Sequence, residues 1–247
     1  MKLSNVEPSN WKELQDYVAL ILKEAGYDTK SPCEINTARG KVEVDVLVNS
    51  PDELIKKIIC ECKFWNTNVP KEKVYAFRMV VQDSGAAVGL LISKKGFQSG
   101  AIETAKYSNV RLVTWEEFLS MLSYQWTFQK LRNLKKQCFA LQIYMDPLDC
   151  PYKKLNDNAK IAYVKNMRQY LPLLNTCLSI NVTTLLSCQA PLETWYHCQD
   201  YTTIMEYLRF LESEIKMVIS EFKKFFPDYD ILENCKAMNG MEYINLI

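Results

Sequence analysis

Two stretches, Val42-Glu43-Val44-Asp45-Val46-Leu47-Val48 and Lys57-Ile58-Ile59-Cys60-Glu61-Cys62-Lys63, decide how this chain reads. In the first, valines alternate with Glu43, Asp45 and Leu47, the period-2 pattern of a strand with two faces, so Glu43 and Asp45 share one of them. In the second, Glu61 and Lys63 fall on one side and Cys60 and Cys62 on the other. Paired as a symmetric antiparallel hairpin around the loop from Asn49 to Lys56, the two runs place Asp45 opposite or nearly opposite Glu61, with Cβ atoms roughly 5 Å apart. Carboxylates that close repel one another unless something positive sits between them. A hard divalent cation with oxygen ligands suits that space.

Asp45, Glu61 and the backbone carbonyl of Cys62 are then the expected ligands of Mg²⁺, or of Mn²⁺ in its place. Such an ion supplies what phosphodiester hydrolysis requires: a nucleophilic water, neutralisation of charge on the phosphate oxygens, and help for the leaving oxygen. Lys63 lies about 6.6 Å from Glu61 along the same strand face. Its ammonium can rest against the attacking water or the phosphate, or act as a base if its pKa is lowered. The same residues also describe the wet face of an antiparallel sheet, and a D…ExK spacing alone recurs by chance.

The flanking sequence narrows the choice. Asn10 and Glu13 form a capping-box pattern, and Trp11, Leu14, Tyr17, Val18, Ile21, Leu22 and Ala25 follow at helical spacing until Gly26. Tyr27 to Asn36 reads as a strand and Thr37 to Gly40 as a turn. Pro70 opens a second helix through Val74, Phe77 and Val81, closing near Gly85. Ala86 to Ser93 is a strand apolar on both faces, Phe97 to Tyr107 a third helix, Val110 to Val113 a short strand, and Thr114 the cap of a helix beginning at Trp115. The order is αβββαβα, and its closing strand–helix–strand adds a parallel crossover to a meander, giving a mixed sheet.

That order, with the helix from Trp11 to Tyr27, the strands around Asp45 and Glu61-Cys62-Lys63, and the tail from Gly89 to Thr114, resembles the PD-(D/E)xK restriction-endonuclease-like superfamily and, within it, the Mrr-type restriction endonuclease domain. The resemblance covers about Asn10 to Tyr124. It implies an α/β fold with a restriction-endonuclease-like αβββαβ core, and a metal-dependent endonuclease acting on double-stranded DNA in restriction or defence against foreign DNA. It further implies catalytic roles for Asp45, Glu61 and Lys63, with Glu13 as a helix acid joining them. Glu13 is equally explained as the capping partner of Asn10. The chain departs from the family where Lys41-Val42-Glu43-Val44 stand in place of glycines before the aspartate.

With 247 residues, 48% of them apolar, the chain can bury two modest cores. The change of pattern places a nuclease-like domain at 1–125 and an all-α domain at 126–247. No long apolar run or signal pattern is evident, which leads to the expectation of a cytoplasmic protein without membrane contact. Nine cysteines without a CxxC favour reduced thiols, with Cys60 and Cys62 on a strand and Cys138, Cys177 and Cys235 on helices. His197, the single histidine, neighbours Cys198 and Cys188 at a spacing that fits no standard zinc pair. One histidine outside the nuclease-like half also argues against Ser-His-Asp chemistry.

Residues 1–125 hold sixteen basic and sixteen acidic side chains, so a DNA-binding face there has to be local. Lys71, Lys73, Arg39, Lys41, Lys94 and Lys95 are its candidates, each also explicable as a solvated surface residue, and Trp65 could stack on a base or pack on the sheet. The second half carries three apolar helical stripes: Phe128 to Met145, ended by Pro147; Ile161, Val164, Met167, Tyr170, Leu171 and Leu174, with a kink or break before Pro172; and Tyr201 to Phe226, the longest. They predict a small bundle that dimerises the nuclease, senses a protein partner or reads DNA. A homodimer is favoured, because two sites about a two-fold axis cut both strands of a duplex. The competing readings are a catalytically silent nucleic-acid-binding module, and a regulatory helical protein with a nuclease effector.

Overall fold

Asn10 caps α1 (Trp11–Glu24) by accepting the Glu13 N–H at 2.9 Å, and a Schellman closure ends the helix: Gly26 at φ +97° donates to Lys23 and Tyr27 to Leu22. The computed structural model describes residues 1–50, 55–187 and 193–229. The chain divides into two compact units, Asn5–Trp126 and Thr127–Ile247, the latter together with Met1–Ser4.

In the amino-terminal unit, β1 (Asp28–Lys30) and β2 (Cys33–Thr37) occupy the segment expected to be one strand. A cis Ser31–Pro32 bond separates them, and they pair with different partners. The next segment also divides. β3 (Gly40–Val44) forms a two-stranded sheet with β2, whereas β4 (Val46–Asn49) joins the main sheet, so the single alternating strand expected across Asp45 is broken at that residue. β5 (Lys57–Lys63), α2 (Lys71–Asp83), β6 (Val88–Ser93), α3 (Ser99–Ala105) and β7 (Val110–Thr114) complete the unit. The main sheet runs β1-β4-β5-β6-β7, antiparallel over its first three strands and parallel from β5 onward.

The faces of this sheet follow from period 2. Leu47, Ile59 and Leu91 pack with Val74, Phe77 and Val81 of α2 and with Ala101 of α3. Val46, Val48, Cys60 and Cys62, at the alternate positions, are buried as well, and α1 buries Leu14, Val18, Ile21 and Leu22. Burial on both faces is why the strands read as near-continuous apolar runs.

α4 (Trp115–Met145) begins at a reciprocal cap in which Thr114 Oγ1 accepts the Glu117 N–H and Glu117 accepts that of Thr114. It runs 31 residues, making it the longest helix described, and the division between the two units falls inside it. The carboxy-terminal unit adds α5 (Asp157–Ser179), α6 (Val182–Ser187) and α7 (Ile204–Lys223). α7 is shorter than the stretch expected from Tyr201 to Phe226, because Thr203 caps it and Lys224 closes it. α5 continues through Pro172. Tyr163 organises the core: its hydroxyl donates to the Tyr144 carbonyl at 3.0 Å, and its ring meets Phe222, Phe225 and Phe226 edge-on. The backbone of Lys2 and Leu3 accepts the N–H groups of Ile204 and Met205, tying residues 1–4 to this unit. Cys33, Cys60, Cys62, Cys138, Cys150, Cys177 and Cys198 are in no disulfide, while Cys188 and Cys235 lie outside the described residues. No described helix is long and apolar enough to cross a membrane.

Gly89 in β6 lies where α2 presses on the sheet. A Cβ there would stand 2.4 Å from Val81 Cγ2 and 2.8 Å from Phe77 Cε1. Both neighbours are buried core side chains, so Gly89→Ala is expected to destabilise the protein by about 1–3 kcal/mol through overpacking, read as a lower urea midpoint. An unchanged midpoint would mean that α2 is not held against β6 as described.

Candidate active site

The register of β4 on β5 runs from Asn49↔Lys57 to Val46↔Cys60, and one further step brings Asp45 level with Glu61. The ladder stops there because side chains take over its bonds. Asp45 Oδ2 accepts the Cys62 N–H at 2.6 Å, a charge-assisted bond, and the Asp45 carbonyl accepts from Gln15 Nε2 at 2.9 Å. Glu61 and Lys63 project from the other β5 face than the buried Cys60 and Cys62, and they form an ion pair with side chains only 26% and 19% exposed. The Lys63 ammonium also lies 5.7 Å from the centre of the Trp65 ring. Asp45, Glu61 and Lys63 are thus gathered at the carboxyl end of β5.

Burial pushes the Asp45 carboxyl up to about 6. The Cys62 N–H and Lys63 oppose that rise, and the charges of Glu61 and Glu43 add to it. Burial also raises the thiols of Cys60 and Cys62, leaving them inert. Cys62 therefore contributes to the site through its backbone.

Glu13 does not join this group in the structure. Its carboxylate accepts from the Ser9 N–H and hydroxyl, both at 2.8 Å, and these bonds hold its pKa below the ordinary value. It completes the cap of α1, one residue further out than the Asn10 N–H that the sequence pattern anticipates. The residue of α1 that reaches the site is Gln15, 1% exposed, whose Oε1 is buried without a hydrogen-bond partner. The signal for it was a polar residue on the buried helix face, adjoining Leu14 and Val18.

Among the other sequence candidates, Arg39 pairs with Asp83 and Lys41 with Glu34, so the tip of the β2–β3 hairpin carries compensated charge. Lys94 stands 4.1 Å from the centre of the Phe64 ring. His197 bonds Asp200 through Nδ1 at 3.0 Å, with its ring packed against Tyr196 and Phe210, while Cys188 lies outside the described residues.

No group of three or more His, Cys, Asp or Glu side chains among the described residues is placed to hold a metal. The donors that could hold one are two carboxylates, Asp45 and Glu61, supplemented by neutral oxygens, and the all-oxygen character of that set fits a hard divalent ion. The raised Asp45 carboxyl and the orphaned Gln15 oxygen are the features that an added cation would relieve.

The mixed sheet and its flanking helices make the amino-terminal unit an α/β domain. Residues 6–122 match the Mrr_cat family, described as restriction endonuclease, a match consistent with a PD-(D/E)xK, Mrr-type domain in this part of the chain. A solved crystal structure of a protein of unknown function, AF1548, is similar over 84% of this chain and 97% of its own, at 15% identity and a TM-score of 0.39. No curated protein matches the sequence.

The raised Asp45 carboxyl has a consequence for stability. A folded-state pKa of about 6, above the ordinary carboxylate value, gives the metal-free protein a contribution that is fully present below about pH 4 and lost as pH rises through 6. Asp45→Asn keeps an acceptor for the Cys62 N–H without the charge. In EDTA it is expected to stabilise the protein at pH 7.5, on the order of 1 kcal/mol after allowing for partial solvent exposure, and to have little effect at pH 4. Urea midpoints at the two pH values check this, and a pH-independent difference would remove burial of the charge as the cause.

Proposed function

We propose that the protein is a Mg²⁺-dependent DNA endonuclease, with Mn²⁺ as a substitute metal, serving restriction of foreign DNA. The observation that carries the reading is the convergence of Asp45, Glu61 and Lys63 at the end of β5, inside a restriction endonuclease domain. Asp45 and Glu61 would hold the ion, with the Cys62 carbonyl and the Gln15 amide oxygen as neutral donors. When bound, the ion activates a water and neutralises charge on the scissile phosphate.

The chain's own residues divide the remaining work. The Cys62 N–H fixes the orientation of the Asp45 carboxylate, and Gln15 fixes the backbone that carries it. Lys63, kept beside Glu61 by their ion pair and by Trp65, orients the attacking water or steadies the phosphate. Among the described residues one chain offers one such centre, and a duplex has two strands, which supports a homodimer as the cutting form.

Supercoiled plasmid, methylated and unmethylated, incubated with Mg²⁺, Mn²⁺ or EDTA, tests the reading. Wild type is expected to cut with either metal and not in EDTA, and Asp45→Ala and Lys63→Ala to lose at least about 10²-fold in rate. Wild-type rates from Lys63→Ala would overturn the assignment of the centre.

A further inference from the structure

The first half of α5 does not bury the stripe its sequence suggests. Tyr163 is the inward residue, and Ile161 is 71% exposed. Ile161 and Val164, with Tyr152, Lys160, Lys165 and Arg168, line an open groove of about 450 Å³ in the carboxy-terminal unit. Three cations and no acid border it. Lys165 and Arg168 have no ion pair among the described residues, and Lys160 meets only Asp157, at 3.4 Å, a carboxylate itself 97% exposed. Lys153 and Lys154, both exposed, follow Tyr152 in a short 3₁₀ turn.

The surrounding sequence is biased in the same sense. Residues 127–168 contain nine Lys and Arg against three Asp and Glu, whereas residues 169–247 contain five against ten. The bias has the sign that attracts a polyanion.

We propose that this groove binds the phosphodiester backbone of DNA. Lys160, Lys165 and Arg168 supply the phosphate contacts, while Ile161, Val164 and the lysine stems give an apolar floor for the deoxyribose. From Lys160 to Arg168 the helix axis advances roughly 12 Å, a length that spans about three phosphates of one strand. One exposed aliphatic residue in a concave, cation-rimmed site is poorly suited to entering a bilayer, which separates this surface from a membrane anchor. That the polyanion is DNA rests on the nuclease reading, and the neutrality of residues 1–125 explains why attraction for DNA would be supplied elsewhere in the chain.

Fluorescence anisotropy of a labelled DNA duplex, with the full chain carrying Asp45→Ala in EDTA, tests the groove independently of cleavage. Adding Lys160→Gln, Lys165→Gln and Arg168→Gln together is expected to lower the slope of log affinity against log salt by about two to three, and to weaken binding more than about tenfold at 0.1 M salt. A charge-conserving set, Lys160→Arg, Lys165→Arg and Arg168→Lys, is expected to retain the parent slope. Unchanged slope and affinity in the glutamine set would overturn the proposal, as would a loss seen only with phosphatidylserine vesicles and not with DNA. Groove-dependent DNA binding by a wild-type chain that cuts nothing would overturn the nuclease reading and leave the groove standing.

Discussion

The bond from the Cys62 N–H to Asp45 Oδ2 is the constraint on which the amino-terminal unit turns. It ends the β4–β5 ladder at the rung where Asp45 faces Glu61 and sets a carboxylate in a part-buried position. It also leaves β3 free to pair with β2 instead of continuing the main sheet. The Gln15 amide, accepted by the Asp45 carbonyl, completes the exchange of ladder bonds for side-chain bonds. The Cys62 N–H and the Asp45 carbonyl are therefore satisfied without a strand partner, as groups so close to the core require.

The same arrangement carries a cost. A carboxyl whose pKa rises to about 6 is one the fold would rather keep protonated, and only one N–H and one lysine offset its burial. On the proposed reading, local conflict between stability and charge is expected at such a site, since the group that destabilises the empty fold would become a ligand of the ion. Lys63 occupies an intermediate position. It neutralises Glu61 in the metal-free protein and leans toward Trp65, so the two acids are not left facing each other without compensation.

Much of this was legible in sequence because the determining patterns are short and local. The valine alternation and the symmetric loop were enough to set Asp45 against Glu61, and the reciprocal Thr114–Glu117 cap lies within one helical turn. What period-2 reading could not supply was the break at Asp45, since Val42 to Val48 alternates without interruption and the interruption comes from distant partners on α1 and β5. Glu13 was the helix acid that the family resemblance implied, yet helix geometry puts position 13 at the cap and position 15, a glutamine, on the buried face. Ile161 and Val164 misled in the opposite way. Their spacing is that of a core stripe, but the residues that α5 buries are Tyr163, Leu173, Leu174, Thr176 and Cys177.

A centre built from acids also constrains how a polyanionic substrate reaches it. Cations placed beside Asp45 would raise local DNA affinity, but they would compete with a metal for the same carboxylates. The amino-terminal unit limits that conflict: Arg39 and Lys41 are engaged by Asp83 and Glu34, Lys63 by Glu61, and the formal charge of residues 1–125 is zero. On the proposed reading, long-range attraction is delegated to the basic stretch 127–168, where Lys160, Lys165 and Arg168 would hold the phosphates. Electrostatic affinity and catalytic charge then occupy different parts of the chain. That separation lets salt-dependent binding be tuned without altering the chemistry at the end of β5.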